Sequence, residues 1–96
     1  MNSITNEDLI VSSDQLAAEF YNRKLFQESL NQNEITLKLL GYRHPDVLKN
    51  MANANYQLLH PEISLELFKE YMDITKSEDS DDIRMYAQYL TRSGKI

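Results

Sequence analysis

The sequence predicts an all-α protein, built as a short stacked array of antiparallel helical hairpins with about five helices in one small domain. Only two glycines and two prolines occur in 96 residues, which argues against a turn-rich all-β fold. Apolar residues recur at helical spacing along most of the chain. Part of the sequence also repeats 35 positions later, as shown by Ala17 and Ala52 and by Tyr21 and Tyr56. A fixed period of this length is typical of stacked helix pairs.

The chain divides into an N-terminal segment and a helical domain. Residues 1–12 are mostly polar, with one short apolar run at positions 9–11, and we expect this segment to be flexible or to lie as extended chain on the first helix. Residues 13–96 form the predicted helical domain. Its repeats cover about 13–41, 46–76 and 80–96. A full repeat contains two helices, and the third repeat is truncated after its first helix.

Start and stop signals bound the five predicted helices. The first, about 13–24, begins near Ser13, which can cap it. The second, about 27–40, ends at Gly41, and the third and fourth, about 46–59 and 61–76, begin beside Pro45 and Pro61. The fifth, about 80–92, follows an acidic run. Residues at helical spacing form one stripe on each helix, which we expect to face the core. The stripe of the second helix is Leu30, Asn33, Leu37 and Leu40, and that of the third is Leu48, Met51, Ala52, Asn55 and Leu59. The stripe of the fourth helix is Leu65, Phe68 and Met72, and that of the fifth is Ile83, Tyr86, Ala87 and Leu90.

Composition excludes several classes of function. The chain has no cysteine, so it can form neither a disulfide nor a thiolate metal site. Its net charge of -5 and pI near 4.9 disfavour a nucleic-acid partner, which requires a clustered basic face. The N-terminus has neither a basic region nor a long apolar run, so we expect a cytoplasmic protein without membrane insertion.

The polar residues form no recognisable catalytic or metal-binding pattern. His44 and His60 are far apart, and each precedes a proline at a predicted helix start, which indicates turn residues rather than metal ligands. The acidic run at 78–82 lacks the glycine and distal glutamate of a calcium loop and is better explained as a helix cap. We therefore expect no enzyme activity, no metal and no cofactor.

The repeated positions resemble the tetratricopeptide repeat family. The residues that carry the resemblance are Leu16, Ala17, Phe20, Ser29 and Leu30, with their counterparts Met51, Ala52, Asn55, Tyr56, Ser64, Leu65 and Phe68. In that family small residues lie where two helices cross most closely, and the first helix of each repeat lines a concave groove. The resemblance implies a partner-binding groove formed by Tyr21, Asn22, Lys49, Asn53, Tyr56, Gln57, Arg84, Gln88 and Arg92. Amide, tyrosine and basic side chains can hold a peptide or an acidic partner, although an ordinary hydrated helix face is the alternative interpretation.

The fifth helix indicates a second interface. Its apolar and aromatic residues lie on more than one side of the helix and are Met85, Tyr86, Tyr89 and Leu90. A repeat array needs a terminal cap, because the last repeat otherwise exposes the side that a neighbour should cover. The cover can be a second copy, a different subunit or the chain's own N-terminal segment, and partner coverage is the leading interpretation.

Size, acidity and repeat number are similar to those of the small tetratricopeptide chaperones of bacterial type III secretion. This resemblance implies a non-catalytic cytoplasmic chaperone that holds a helical segment of a secreted or self-assembling partner, such as a needle subunit, together with a co-chaperone. The alternative is a regulatory or scaffolding adaptor that binds a peptide or bridges subunits. The sequence identifies neither the partner nor the oligomeric state.

Overall fold

The computed structural model describes residues 3–95 and contains five helices in that range. They are α1 (Asn6–Asn22), α2 (Phe26–Leu40), α3 (Pro45–Gln57), α4 (Pro61–Thr75) and α5 (Ser80–Arg92). The described residues form no strand. Each helix packs against the next along the chain, so that α1 with α2 and α3 with α4 form two hairpins, and α5 packs on α4. The prediction of an all-α fold of stacked helical hairpins is confirmed.

Helix α1 begins earlier than the sequence analysis placed it. The Thr5 hydroxyl accepts a hydrogen bond from the Asp8 backbone N–H at 3.1 Å, and the Asp8 carboxylate accepts one from the Thr5 N–H at 3.1 Å. This reciprocal pair is a capping box, and it satisfies donors that a helix start leaves unpaired. The Thr5 backbone and hydroxyl hydrogen bonds lower the pKa of Asp8. The predicted start near residue 13 was wrong, because residues 6–12 are helical; Met1, Asn2 and Ile96 lie outside the described residues.

The 35-residue period of the sequence reappears in the backbone. The turns that follow α1, α3 and α5 each contain a residue in the left-handed region, with φ of 63°, 65° and 74° at Lys24, Leu59 and Gly94. The next N–H in each turn donates to the carbonyl five residues earlier, at 2.8, 2.9 and 3.0 Å. Helices α1, α3 and α5 are therefore the equivalent first helices of three units. In the first two units this turn leads into α2 and α4.

Each hairpin is held by the same buried hydrogen bond. The Ser29 hydroxyl donates to the Ala17 carbonyl at 2.9 Å, and the Ser64 hydroxyl donates to the Ala52 carbonyl at 2.7 Å. All four residues are buried, and the two alanines allow the helices to approach closely. A hydrogen bond of this kind contributes about 0.5–1.5 kcal/mol to stability. The two helices of each hairpin therefore cross closely at a serine–alanine pair.

The core consists of two clusters, one for each interface between units. The first joins α1, α2 and α3 and contains the buried residues Leu30, Val47, Met51 and Ala54. The second joins α3, α4 and α5 and contains the buried residues Leu48, Ala52, Leu65, Phe68, Tyr71 and Tyr89. Phe68 is at the centre of the second cluster, with ring centroids 5.1 Å from Tyr71 and 5.4 Å from Tyr89. Phe68 thus joins aromatic side chains of α4 and α5 in one cluster.

Three predicted core positions, Leu59, Ile83 and Ala87, are exposed. Leu59 was assigned to the apolar stripe of the third helix, but α3 ends at Gln57 and Leu59 lies in the following turn, where it is 85% exposed. On α5 the buried residues are Asp82 and Tyr89, whereas the predicted core residue Ile83 is 52% exposed. The side of α5 that contacts α4 is therefore rotated relative to the predicted stripe.

Candidate protein-binding surfaces

The predicted stripe of α5 forms an open face, defined here as Ile83, Tyr86, Ala87 and Leu90. By the 35-residue period, Ile83 and Ala87 correspond to Leu48 and Ala52 of α3, which are both 0% exposed because α4 covers them. Within residues 3–95 no helix follows α5 to cover the equivalent face, and Ile83 and Ala87 are exposed. The sequence pattern therefore identified a genuine helical face, but it could not show that this face lacks a cover.

The backbone of the open face shows the same difference. The Ala52 carbonyl accepts a hydrogen bond from Ser64 of the covering helix, whereas the equivalent Ala87 carbonyl accepts one at 2.9 Å from Thr91 of its own helix. The Thr91 hydroxyl thus occupies the acceptor that a second helix uses in the preceding unit. The Ala87 carbonyl therefore receives its additional side-chain hydrogen bond from within α5 while the face is open.

The four predicted interface residues of α5 differ in their surroundings. Met85, Tyr86 and Leu90 are partly buried and pack against the second core cluster, so each keeps some exposed surface. Tyr89 is only 2% exposed, and its hydroxyl donates to Asn53 Oδ1 at 2.7 Å. Burial raises the pKa of Tyr89. Its assignment to an interface is corrected, because it is a core residue that fixes α5 on α3 and α4.

A buried carboxylate holds the start of α5. Asp82 accepts hydrogen bonds from Lys49 Nζ at 2.7 Å, from the Tyr71 hydroxyl at 2.8 Å and from the Ser77 hydroxyl at 2.6 Å. Burial alone would raise the pKa of Asp82, but these three donors together lower it. The Asp82 hydrogen bond also raises the pKa of Lys49, despite partial burial of the ammonium. This network ties α3, α4 and the loop before α5 together, and the sequence analysis treated Asp82 only as part of an acidic cap.

A pocket of about 220 Å³ lies between α1 and α3, with α2 as its floor. We call it the amide pocket because four of its residues are asparagines. Its lining residues are Ala17, Ala18, Tyr21, Asn22, Ser29, Asn33, Asn50 and Asn53. Three of the predicted groove residues, Tyr21, Asn22 and Asn53, are brought together here.

Asn33 is the unusual member of the amide pocket. It is 1% exposed, and neither its Nδ2 nor its Oδ1 has a hydrogen-bond partner among the described residues. Buried polar atoms are paired in the large majority of cases, so an orphaned amide requires an explanation. Asn33 is a member of the predicted stripe of the second helix and was not among the predicted site residues. An amide in the middle of an apolar stripe was the signal that could have identified it.

A second pocket of about 390 Å³ lies at the end of α3, near the end of α5. It is lined by three predicted groove residues, Tyr56, Gln57 and Arg92, together with Leu59 and Pro61. The Tyr56 ring packs on the buried Tyr89 ring with centroids 5.1 Å apart. This pocket has a larger volume than the amide pocket, and Tyr56, Leu59 and Pro61 supply apolar lining.

The other three predicted groove residues line neither pocket. Lys49 is bonded to Asp82, and Arg84 pairs with Asp81 at 3.1 Å within the first turn of α5. Gln88 is exposed. Lys49 is thus committed to a contact within the chain, and the nine predicted residues are distributed over two pockets and an exposed helix side.

The histidines have structural positions at helix starts. His44 is the N-cap of α3, and its Nδ1 accepts the Asp46 N–H at 3.1 Å, while His60 is the N-cap of α4. Across residues 3–95, no three acidic or histidine side chains converge in a way that could hold a metal ion. In the same range, no helix is both long and apolar enough to cross a membrane.

Comparison with protein-family models, with curated proteins and with solved structures gave no match to this chain.

Proposed function

We propose that this chain is a non-catalytic protein-binding module that accepts an amphipathic helix of another protein on the open face of α5. One observation carries this proposal. Ile83 is 52% exposed at the position where Leu48 is fully buried by α4, although the backbone on either side of the two residues repeats. A single exposed apolar side chain needs no explanation, but Ile83 stands at a position that a helix covers in the preceding unit. The equivalent hairpin shows the geometry in which a helix would bind.

The chemistry of the bound helix follows from the two helices that cover the equivalent faces. Both α2 and α4 present a small serine at the closest approach and a leucine directly after it. Ser64 is 0% exposed and Leu65 is 2% exposed in the second unit. A partner helix on α5 therefore needs a small residue opposite Ala87 and a large apolar residue beside it, so that the two backbones can pack closely.

The specific role we propose is that of a cytoplasmic chaperone that holds a helical segment of a self-assembling partner. This is the role that the small tetratricopeptide chaperones of type III secretion have toward a needle subunit, where a co-chaperone completes the complex. Shielding an assembly-prone helix requires an open helical face and no reactive group. A regulatory or scaffolding adaptor would use the same face to bridge subunits, and self-association would place a second copy on it.

A direct test uses the chain's own covering helix as a probe. A labelled peptide of residues 60–76, which contains α4, is titrated with the protein and followed by fluorescence anisotropy. We expect saturable binding, because α5 offers a face equivalent to the one that α4 covers. Ala87→Arg should weaken binding about tenfold or more, equivalent to about 1.4 kcal/mol, because a long side chain blocks the closest approach.

The matched control is Gln88→Arg, which adds the same charge at the neighbouring exposed position on a different side of α5. It should change the dissociation constant by no more than about twofold, within the usual range for a contact at the rim of an interface. Circular dichroism must show equal helix content for both variants. Equal binding by the two variants, or no saturable binding to the wild-type protein, would overturn the proposal.

The class of partner is tested with the natural partner, recovered by affinity capture and identified by mass spectrometry. If the released partner assembles into polymers, and the Ala87→Arg variant fails to keep it soluble, the chaperone role is supported. A released partner that stays soluble supports the adaptor instead. A concentration-dependent homodimer that Ala87→Arg abolishes would assign the open face to a second copy.

A further inference from the structure

We propose that the amide pocket binds a primary carboxamide, supplied by a glutamine or asparagine side chain of another protein. This site lies between α1 and α3 and does not depend on the open face of α5. Three features of the pocket favour this ligand: the orphaned amide of Asn33, the uncharged lining and the small volume.

The first feature defines the hydrogen bonds that the ligand must make. Asn33 is 1% exposed, and both Nδ2 and Oδ1 are unpaired among the described residues. A side-chain amide offers a donor and an acceptor side by side. Its natural complement presents an acceptor and a donor at the same spacing, which is a second amide. Since no hydrogen bond fixes the Asn33 amide, it can turn about its terminal torsion, which is broad for asparagine.

The second feature excludes charged ligands. None of the residues that line the amide pocket has a charged side chain. A carboxylate or an ammonium group that entered the pocket would lose its hydration without gaining an opposite charge, and this is costly. A carboxamide has the same shape as a carboxylate but is neutral, so the lining selects the amide.

The third feature distinguishes a side chain from a main chain. The pocket volume is about 220 Å³, below the roughly 300–1,000 Å³ of sites that hold drug-sized ligands. Asn33 lies on the α2 floor of this small space. A terminal group enters such a space with one end, whereas a main-chain amide continues on both sides and needs more room. Since the polar atoms of Asn33 are themselves closed to solvent, its amide has to turn toward the pocket to meet the ligand. The end of a single side chain is the ligand that fits.

Comparison of the two units shows that the pocket is specific to the first. By the 35-residue period, Asn33 corresponds to Phe68 and Asn50 corresponds to Met85. Phe68 is fully buried and packs on Tyr89, so the second unit fills the equivalent space with apolar side chains. The fold thus accepts a large apolar residue at this position. The first unit instead has an asparagine with unused hydrogen-bonding groups, which is what a binding site for a polar group requires.

The test uses three capped amino acids with the same main chain: N-acetyl N-methylamides of glutamine, glutamate and methionine. Each is titrated into the ¹⁵N-labelled protein, and the side-chain amide signals of Asn33 and Asn50 are followed by NMR. We expect a saturable shift with glutamine, and binding of glutamate and methionine weaker by about tenfold or more, because a site built on hydrogen bonds rejects analogues that lack them. Equal shifts with all three would show main-chain or non-specific binding and would overturn the proposal.

Two variants make the result independent of a single substitution. Asn33→Leu removes the hydrogen-bonding groups, and Ala18→Phe leaves Asn33 in place but fills the mouth of the pocket, where Ala18 is exposed. Both should abolish the saturable shift caused by capped glutamine. The control Asn31→Leu lies on the exposed side of α2, where Asn31 pairs with Gln27, and should keep it. The absence of a saturable shift in the wild-type protein would overturn the proposal.

Discussion

Replacement of Asn33 by leucine should stabilise the free protein. The substitution removes two buried polar atoms that have no partner among the described residues and replaces them with an apolar side chain of similar shape. A buried group left without a hydrogen bond costs about 1–3 kcal/mol, and burying a leucine side chain contributes about 1.5–3 kcal/mol. The substitution removes the cost of the unpaired amide and adds part of the stabilisation from burying leucine. We therefore expect the free energy of unfolding to rise by about 1–3 kcal/mol.

The matched control for this prediction is Asn55→Leu. Asn55 is also buried, at 5% exposure, but its Nδ2 donates to the Met51 carbonyl at 3.0 Å. The same substitution there gives up a hydrogen bond that contributes about 0.5–1.5 kcal/mol. The gain in stability from Asn33→Leu should therefore exceed that from Asn55→Leu by about 1 kcal/mol or more.

Urea denaturation followed by circular dichroism at the helix band measures both variants. In a thermal scan, a gain of about 1 kcal/mol corresponds to an increase in Tm of about 4–8 °C for a domain of this size. The reasoning is refuted if Asn33→Leu destabilises the protein, or if the two variants change stability equally. Either result would mean that the Asn33 amide is already satisfied in the free protein. If Asn33→Leu is more stable but no longer binds capped glutamine, Asn33 lowers the stability of the free protein and is needed for binding.

Two further predictions concern α5 and a turn. Asp82→Asn should destabilise the protein by about 2–4 kcal/mol, because it weakens the bonds from Lys49 and two hydroxyl groups. The pKa of Asp82 is lowered in the folded state, so its contribution is present above the unfolded value of about 3.9 and is lost as pH falls through the folded value. As pH falls through that range, Asp82→Asn should lose less stability than the wild-type protein. The same dependence of stability on pH in both proteins would contradict this. Leu59→Gly should stabilise by up to about 1 kcal/mol, because glycine tolerates the φ of 65°; a decrease in the urea midpoint would contradict it.

The helices were predictable because their ends have local chemical signals. Gly41, Pro45 and Pro61 mark boundaries through their own backbone preferences, and the structure places helix ends beside all three. The predicted start of α1 was wrong, although a signal exists: Thr5 and Asp8 have the spacing of a capping box. The apolar run that follows them at positions 9–11 shows no helical spacing, and Leu9 and Val11 are exposed in the folded chain. The contacts that hold α1 on α2 include buried small and polar residues, such as Ser13 and Ala17, which give a weak apolar signal in the sequence.

The surfaces were less predictable because they depend on contacts between distant residues. Periodicity places Ile83 and Ala87 on one face, but only the arrangement of helices shows that nothing in residues 3–95 covers them. Asp82 looked like one more acidic residue in a cap, whereas its three partners come from α3, α4 and the preceding loop. The orphaned amide of Asn33 requires knowledge of every neighbouring atom. Sequence reasoning thus identifies faces, and packing decides which faces are free.

The recurring turn has a consequence for how this chain could be lengthened. Since Gly94 and Lys95 already have the geometry that precedes α2 and α4, a copy of residues 61–95 joined after Lys95 would add a covering helix and a new first helix without any change of backbone direction. In arrays whose units contact only their neighbours, stability is approximately a sum over units and their junctions. We therefore expect the fold to accept added units, and the number of units would then set how far the open face lies from the first helix.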